Sequence, residues 1–204
     1  MDIFLVIHIL AGTIACLCAA LAFSSEKGKK FHVIAGRTYF WCMVGIFLTA
    51  IPMSIINSNK FLFLIAIFSF YLAFAGMRFA KNRKGIATSM DWIAVSLMIL
   101  SGLGMWALAI IYFTNDNSQY ITLLVFGFIA LALGYGDYRS HKNKAATGKR
   151  VAKHLTNMMA GTIAVITAVL VVNVNIEPIW IWWLLPTVVI TPIISYWNKK
   201  TLSP

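Results

Sequence analysis

Seven stretches of about 20 apolar residues, broken by short polar runs, organise this chain. They lie at about Ile3–Phe23, Val33–Ile55, Phe61–Ala80, Thr88–Phe113, Tyr120–Tyr138, Val151–Val172 and Ile179–Trp197. At ~1.5 Å per residue, a helix of that length crosses the ~30 Å of hydrocarbon in a bilayer. The pattern predicts an all-α fold: a polytopic integral membrane protein, one seven-transmembrane-helix bundle over residues 1–204 with no second folded domain.

Composition narrows this further. The chain is 60% hydrophobic and 11% charged, with mean hydropathy +0.82, whereas soluble domains average about 25% charged. A water-soluble core is excluded. The three cysteines, Cys16, Cys18 and Cys42, fall inside the first two spans without a Cys-x-x-Cys pair, and read as packing residues. Ala20-Leu-Ala22 looks like a signal-peptide cleavage site. The segment opens with an acidic residue, Asp2, and has its lysines on the far side, so it is expected to be retained as a helix.

Charge sets the orientation. Lys27, Lys29 and Lys30 follow span one, and Arg78, Lys81, Arg83 and Lys84 follow span three. Arg139, Lys142, Lys144, Lys149, Arg150 and Lys153 lie between spans five and six, and Lys199 and Lys200 close the chain. The opposite side carries Asp2, Lys60, Asp116 and Glu177. The positive-inside bias then puts the N-terminus outside and the C-terminus in the cytoplasm, which an odd number of spans permits. The net charge of +11 is spread over short loops, so anionic membrane lipid accounts for it and nucleic acid does not. Trp92, Trp106, Tyr112, Tyr120, Trp180, Trp182, Trp183 and Trp197 fall near span ends, as interfacial aromatics do. Pro186 and Pro192 in span seven each remove a backbone hydrogen bond and point to a bent helix, a shape suited to a cavity wall or a hinge.

Against this apolar background a few polar side chains stand out. On a helical period His154, Asn157, Met158, Gly161 and Val165 share one face, expected to look inward because lipid offers no hydrogen bonds. Ala160-Gly-Thr-Ile-Ala164 repeats Ala11-Gly-Thr-Ile-Ala15, near His8; His32 is followed by Gly36. Arg37 lies inside the membrane boundary, with Asp91 and Asp137 at the same level as its expected counter-ions. Snorkelling to lipid phosphate is the other reading of Arg37. Asp91 follows Thr88 by three residues, so it also suits a capping box.

Span two opens with Phe31-His-Val-Ile-Ala-Gly-Arg-Thr-Tyr39. This His-x-x-x-Gly-Arg start, the run His141…His154…Met158 entering an Ala- and Thr-rich helix, and Trp183-Leu-Leu-Pro-Thr187 resemble the uncharacterised prokaryotic membrane proteins grouped as domain of unknown function 2306. The resemblance covers most of the chain. It implies the multi-pass architecture in a cytoplasmic membrane and brings no activity with it.

Three site chemistries fit these residues. A bis-histidine haem b needs two imidazoles at one depth with small residues beside them, and His32 with Gly36 and His154 with Gly161 meet that pattern. His8 has no partner histidine on the outer side, which disfavours a two-haem arrangement. A zinc hydrolase would draw on His32, His141 and His154 with Asp91 or Asp137. A small-molecule or proton-coupled transporter would use the inner groups, Arg37 and Asn157 among them, with His8 at the opposite mouth. The architectural alternative for each histidine is a boundary side chain beside lysines.

Overall fold

The computed structural model describes residues 2–143 and 146–202. Lys144 and the Asp2 side chain, both part of the charge pattern, lie outside the described set. Seven helices account for nearly all the described chain: α1 (Asp2–Ser24), α2 (Lys30–Ile56), α3 (Lys60–Lys81), α4 (Ser89–Thr114), α5 (Tyr120–Lys142), α6 (Ala146–Asn173) and α7 (Trp180–Leu202). All seven are long and apolar enough to cross a membrane. Each overlaps the predicted span and extends beyond it at polar ends, because helical hydrogen bonding continues where side chains reach water. The largest gains are at α6, which starts at Ala146, and at α7, which runs on to Leu202; α5 continues through His141 to Lys142. Arg139, His141 and Lys142 in the last turn of α5 favour its negative dipole end.

The α1–α2, α3–α4 and α5–α6 connections and the end of α7 lie on one face, where most of the cations sit; we call it the lysine-rich face. Helix starts and stops follow local chemistry. The Asn59 side chain accepts from the Leu62 N–H at 3.0 Å and caps α3, and Asp91 accepts from both the N–H and the hydroxyl of Thr88 at 2.8 Å at the start of α4. The capping role expected of Asp91 is therefore present.

α3 is the shared wall of the bundle. It packs against α2, α4 and α6, while α1 pairs with α2, α4 with α5, and α6 with α7. One core gathers Phe68, Leu72 and Phe79 of α3 with Met98 and Met105 of α4 and Leu123 and Phe126 of α5. A smaller core on the other side holds Ala15, Tyr39, Met43, Ala73 and Val165 from α1, α2, α3 and α6. Small residues set the spacing, because lipid supplies no hydrophobic drive between helices and backbone approach must do the work. A Cβ added at Gly127 would lie 2.4 Å from Trp106 Cδ1 and 3.0 Å from the Gly102 carbonyl oxygen. α4 and α5 thus touch backbone to backbone.

Gly127→Val is expected to force these helices apart and cost about 1–3 kcal/mol, read as a lower melting temperature in detergent. Gly12→Ala, whose added Cβ meets nothing within 4 Å, is expected to leave that temperature unchanged or slightly raised.

Candidate functional site

The polar side chains collect toward the lysine-rich face in three adjoining groups. The first is a histidine pair. His32 lies in the first turn of α2, where its Nδ1–H donates to the Ala22 carbonyl at 3.0 Å, one of the terminal carbonyls that α1 leaves unpaired. His154 on α6 donates its Nδ1–H to the Gly76 carbonyl of α3 at 2.8 Å. Gly76 makes that reach possible: a Cβ there would meet the Met158 side chain at 2.7 Å and the Met158 backbone nitrogen at 3.1 Å. The two rings meet edge to face, with centroids 6.3 Å apart and planes 85° to one another. A carbonyl only accepts, so both Nδ1 atoms carry a proton, and in the neutral form of each ring the free lone pair is on Nε2.

The second group centres on Asp137, which is 0% exposed. Lys153 reaches it with Nζ at 2.7 Å from Oδ1, and the Tyr71 hydroxyl donates to Oδ2 at 2.8 Å. Asn157 donates to the same Oδ2 at 3.4 Å and to the Lys153 carbonyl at 3.1 Å. Gly136 leaves room for the ammonium, which lies 3.2 Å from where a Cβ would be. The carboxylate thus has a counter-charge and two neutral donors in place of water.

The third group joins α3, α4 and α5. Arg78 Nε and Nη2 grip the two oxygens of Asp91 at 2.6 Å each, a fork-on-fork pair, and Nη2 also reaches Thr88 Oγ1 at 3.2 Å. His141 lies flat on Phe79, with centroids 5.3 Å apart, and edge-on to Trp92. Its Nδ1 is buried without a partner among the described residues. Tyr71, Arg78, Asp91 and His141 border a cavity of about 10 Å³, close to the space that one water needs.

These placements revise several expectations. Arg37 does not pair with Asp91 or Asp137: it is exposed, and Arg78 and Lys153 hold those two carboxylates. Both cations sit at span ends, where loop charge and buried ion pair look alike in sequence. The inward stripe on α6 divides. His154, Met158 and Gly161 face α3 and α2, whereas Asn157 faces Asp137 on α5. Gly161 is filled by Tyr39, whose hydroxyl lies 2.9 Å from a would-be Cβ, while nothing lies within 4 Å of one at Gly36. His8 sits at the opposite face with Nδ1 2.9 Å from Thr49 Oγ1. Thr49 gives its own proton to the Gly45 carbonyl at 2.8 Å, so His8 is the donor. His32 and His154 meet, but His141 lies apart with the aromatic rings and Asp91. Among the described residues no three His, Cys, Asp or Glu side chains gather as a metal would require.

Comparison with protein-family models, curated proteins and solved structures finds no match to this chain.

Removing Lys153 strands a buried carboxylate. Lys153→Met is expected to cost about 3–5 kcal/mol near neutral pH, read as a lower melting temperature, with most of it recovered in Lys153→Met/Asp137→Asn.

Proposed function

We propose that this chain is a multi-pass protein of a prokaryotic cytoplasmic membrane, with its lysine-rich face in the cytoplasm, that binds one b-type haem through His32 and His154 and carries electrons. The observation that carries the reading is the closeness of two imidazoles from α2 and α6. Were His32 and His154 to hold one metal ion, nitrogen–metal distances of ~2.0–2.1 Å with the ring radius added on each side would put the ring centroids about 6 Å apart. The rings stand at 6.3 Å. An Nδ1–H held by a backbone carbonyl is also the arrangement that orients a ligating imidazole and leaves Nε2 for the metal.

The surroundings suit a planar macrocycle. α1 and α6 approach each other only sparsely, in contrast to the tight α1–α2 and α3–α6 contacts, and Gly36 faces open space beside His32. His32 and His154 would hold the haem, and the chemistry it would supply is one-electron transfer. Membership of the domain of unknown function 2306 group is part of the same proposal, on the His32…Gly36-Arg37 motif.

A proton-coupled transporter is the second reading, favoured by the buried Asp137–Lys153 pair. The hydrolase reading needs a third nitrogen that His141, stacked on Phe79, does not bring to the pair.

The test is an ultraviolet–visible spectrum of the purified protein, oxidised and dithionite-reduced, with metal analysis on the same sample. A Soret band that sharpens on reduction is expected, lost in His32→Ala and His154→Ala and kept in His8→Ala. A colourless, metal-free protein after expression with ample haem would overturn the proposal and leave transport as the surviving reading. For the orientation, Asn117→Cys in a cysteine-free background is expected to react with an impermeant thiol reagent in intact cells, and Asn82→Cys only after permeabilisation.

A further inference from the structure

A second set of unpartnered polar atoms lies away from the histidines. A cavity of about 410 Å³ runs between α3, α5, α6 and α7, within the range of small-molecule pockets, roughly 300–1,000 Å³. Phe68 of α3, Phe126 and Leu133 of α5, and Ala160 and Ala164 of α6 give it apolar walls. α7 contributes a hydroxyl edge instead: Thr187, Thr191 and Ser195 recur one per turn along it. Trp183 closes the end away from the lysine-rich face, edge-on to Phe61 at 4.8 Å and to Phe126 at 6.3 Å.

Polar atoms mark both ends. At the lysine-rich end the Asn198 amide donates to Thr156 Oγ1 at 2.7 Å, which leaves its Oδ1 buried and without a partner among the described residues. Toward the Trp183 end, Thr167 is 2% exposed, and its hydroxyl has no partner among the described residues. Each side chain lines the cavity. An orphan of this kind between apolar walls is costly, so its partner is expected from whatever occupies the space.

The dimensions select the occupant. From Trp183 to Asn198 α7 rises about 22 Å, and from Thr156 to Thr167 α6 rises about 16 Å. A cavity of about 410 Å³ lined by residues along that length of both helices has room for one extended chain. Asn198 Oδ1 only accepts, so it needs a donor; an ionised carboxylate or phosphate head is acceptor-only, and a hydroxyl donates.

We propose that this cavity binds a single-chain lipid with a neutral hydroxyl head, its head at Asn198 and Thr156 and its chain lying along α7 toward Trp183. The site is independent of the histidine pair.

The test is photolabelling of the full-length protein in lipid nanodiscs with three probes sharing one diazirine- and alkyne-tagged chain: a long-chain alcohol, the matching fatty acid and the matching diacyl phospholipid. The alcohol is expected to label α6 and α7 peptides, to be displaced by untagged alcohol, and to exceed the other two probes by about tenfold. Ala164→Phe, which fills the cavity, is expected to lower alcohol labelling by about tenfold while the melting temperature holds or rises. Thr191→Phe on the α7 edge serves the same purpose should Ala164→Phe fail to fold. His32→Ala is expected to label like the wild type, which separates this site from the proposed haem. Equal labelling by all three probes, unaffected by either filling variant, would show that bulk lipid occupies the cavity and would sink the proposal. Preference for the fatty acid would overturn the neutral head.

Discussion

The close approach of α6 to α3 at Gly76 is the contact on which the rest of the structure depends. A side chain there would collide with Met158 Cγ and Sδ at 2.7 Å. Its absence lets α6 settle against α3 at a depth where three inner side chains of α6 find partners. His154 reaches the Gly76 carbonyl, while Lys153 and Asn157, on the adjoining face, reach Asp137 of α5. Between apolar helices hydrophobic burial does not discriminate one register from another, since hydrocarbon surrounds every alternative. Polar matching does: a shift of α6 by one turn, about 5.4 Å, would break all three contacts together.

The ion pairs show how a chain this apolar accommodates charge. Asp91 and Asp137 are buried, at 2% and 0% exposure, and each is met by a cation whose stem lies along the helices and whose head comes in from the boundary. Arg78 adds geometry to charge, holding both oxygens of Asp91 and so tying the end of α3 to the start of α4. Lys153 with Tyr71 ties α6 and α3 to α5. The result is a polar floor at the lysine-rich face that links α3, α4, α5 and α6. Above it α7 is held mainly by α6. That looser attachment leaves the space beside α5 that becomes the hydroxyl-edged cavity.

His141 illustrates a group the sequence undersells. It falls beyond the apolar part of span five and reads there as a loop residue, yet the last basic turn of α5 keeps it helical and turns its ring between Phe79 and Trp92. A stacked, buried imidazole next to a water-sized cavity and the Arg78–Asp91 pair is a different object from a solvated boundary histidine. The difference comes from rings supplied by α3 and α4, about 50–60 residues away in the chain.

Hydropathy alone determined the seven helices and their approximate limits, because the need to satisfy every backbone group inside hydrocarbon ties helix length to bilayer thickness. Local spacing also determined the Thr88–Asp91 cap and singled out His32 and His154, since a histidine in so apolar a chain is conspicuous. Partner choice was not legible. Arg37 and Arg78 look equally able to meet Asp91, and Lys153 looks like one more loop cation; only the rotation and depth of α3 and α6 decided that Arg78 and Lys153 face inward and Arg37 outward. The Thr187, Thr191, Ser195 and Asn198 row on α7 was present at helical spacing, but nothing local says whether such a row faces lipid, protein or a cavity. Tertiary packing alone settles that, because a side chain's partner across a bundle depends on how neighbouring helices are turned, which the period of a single helix does not contain.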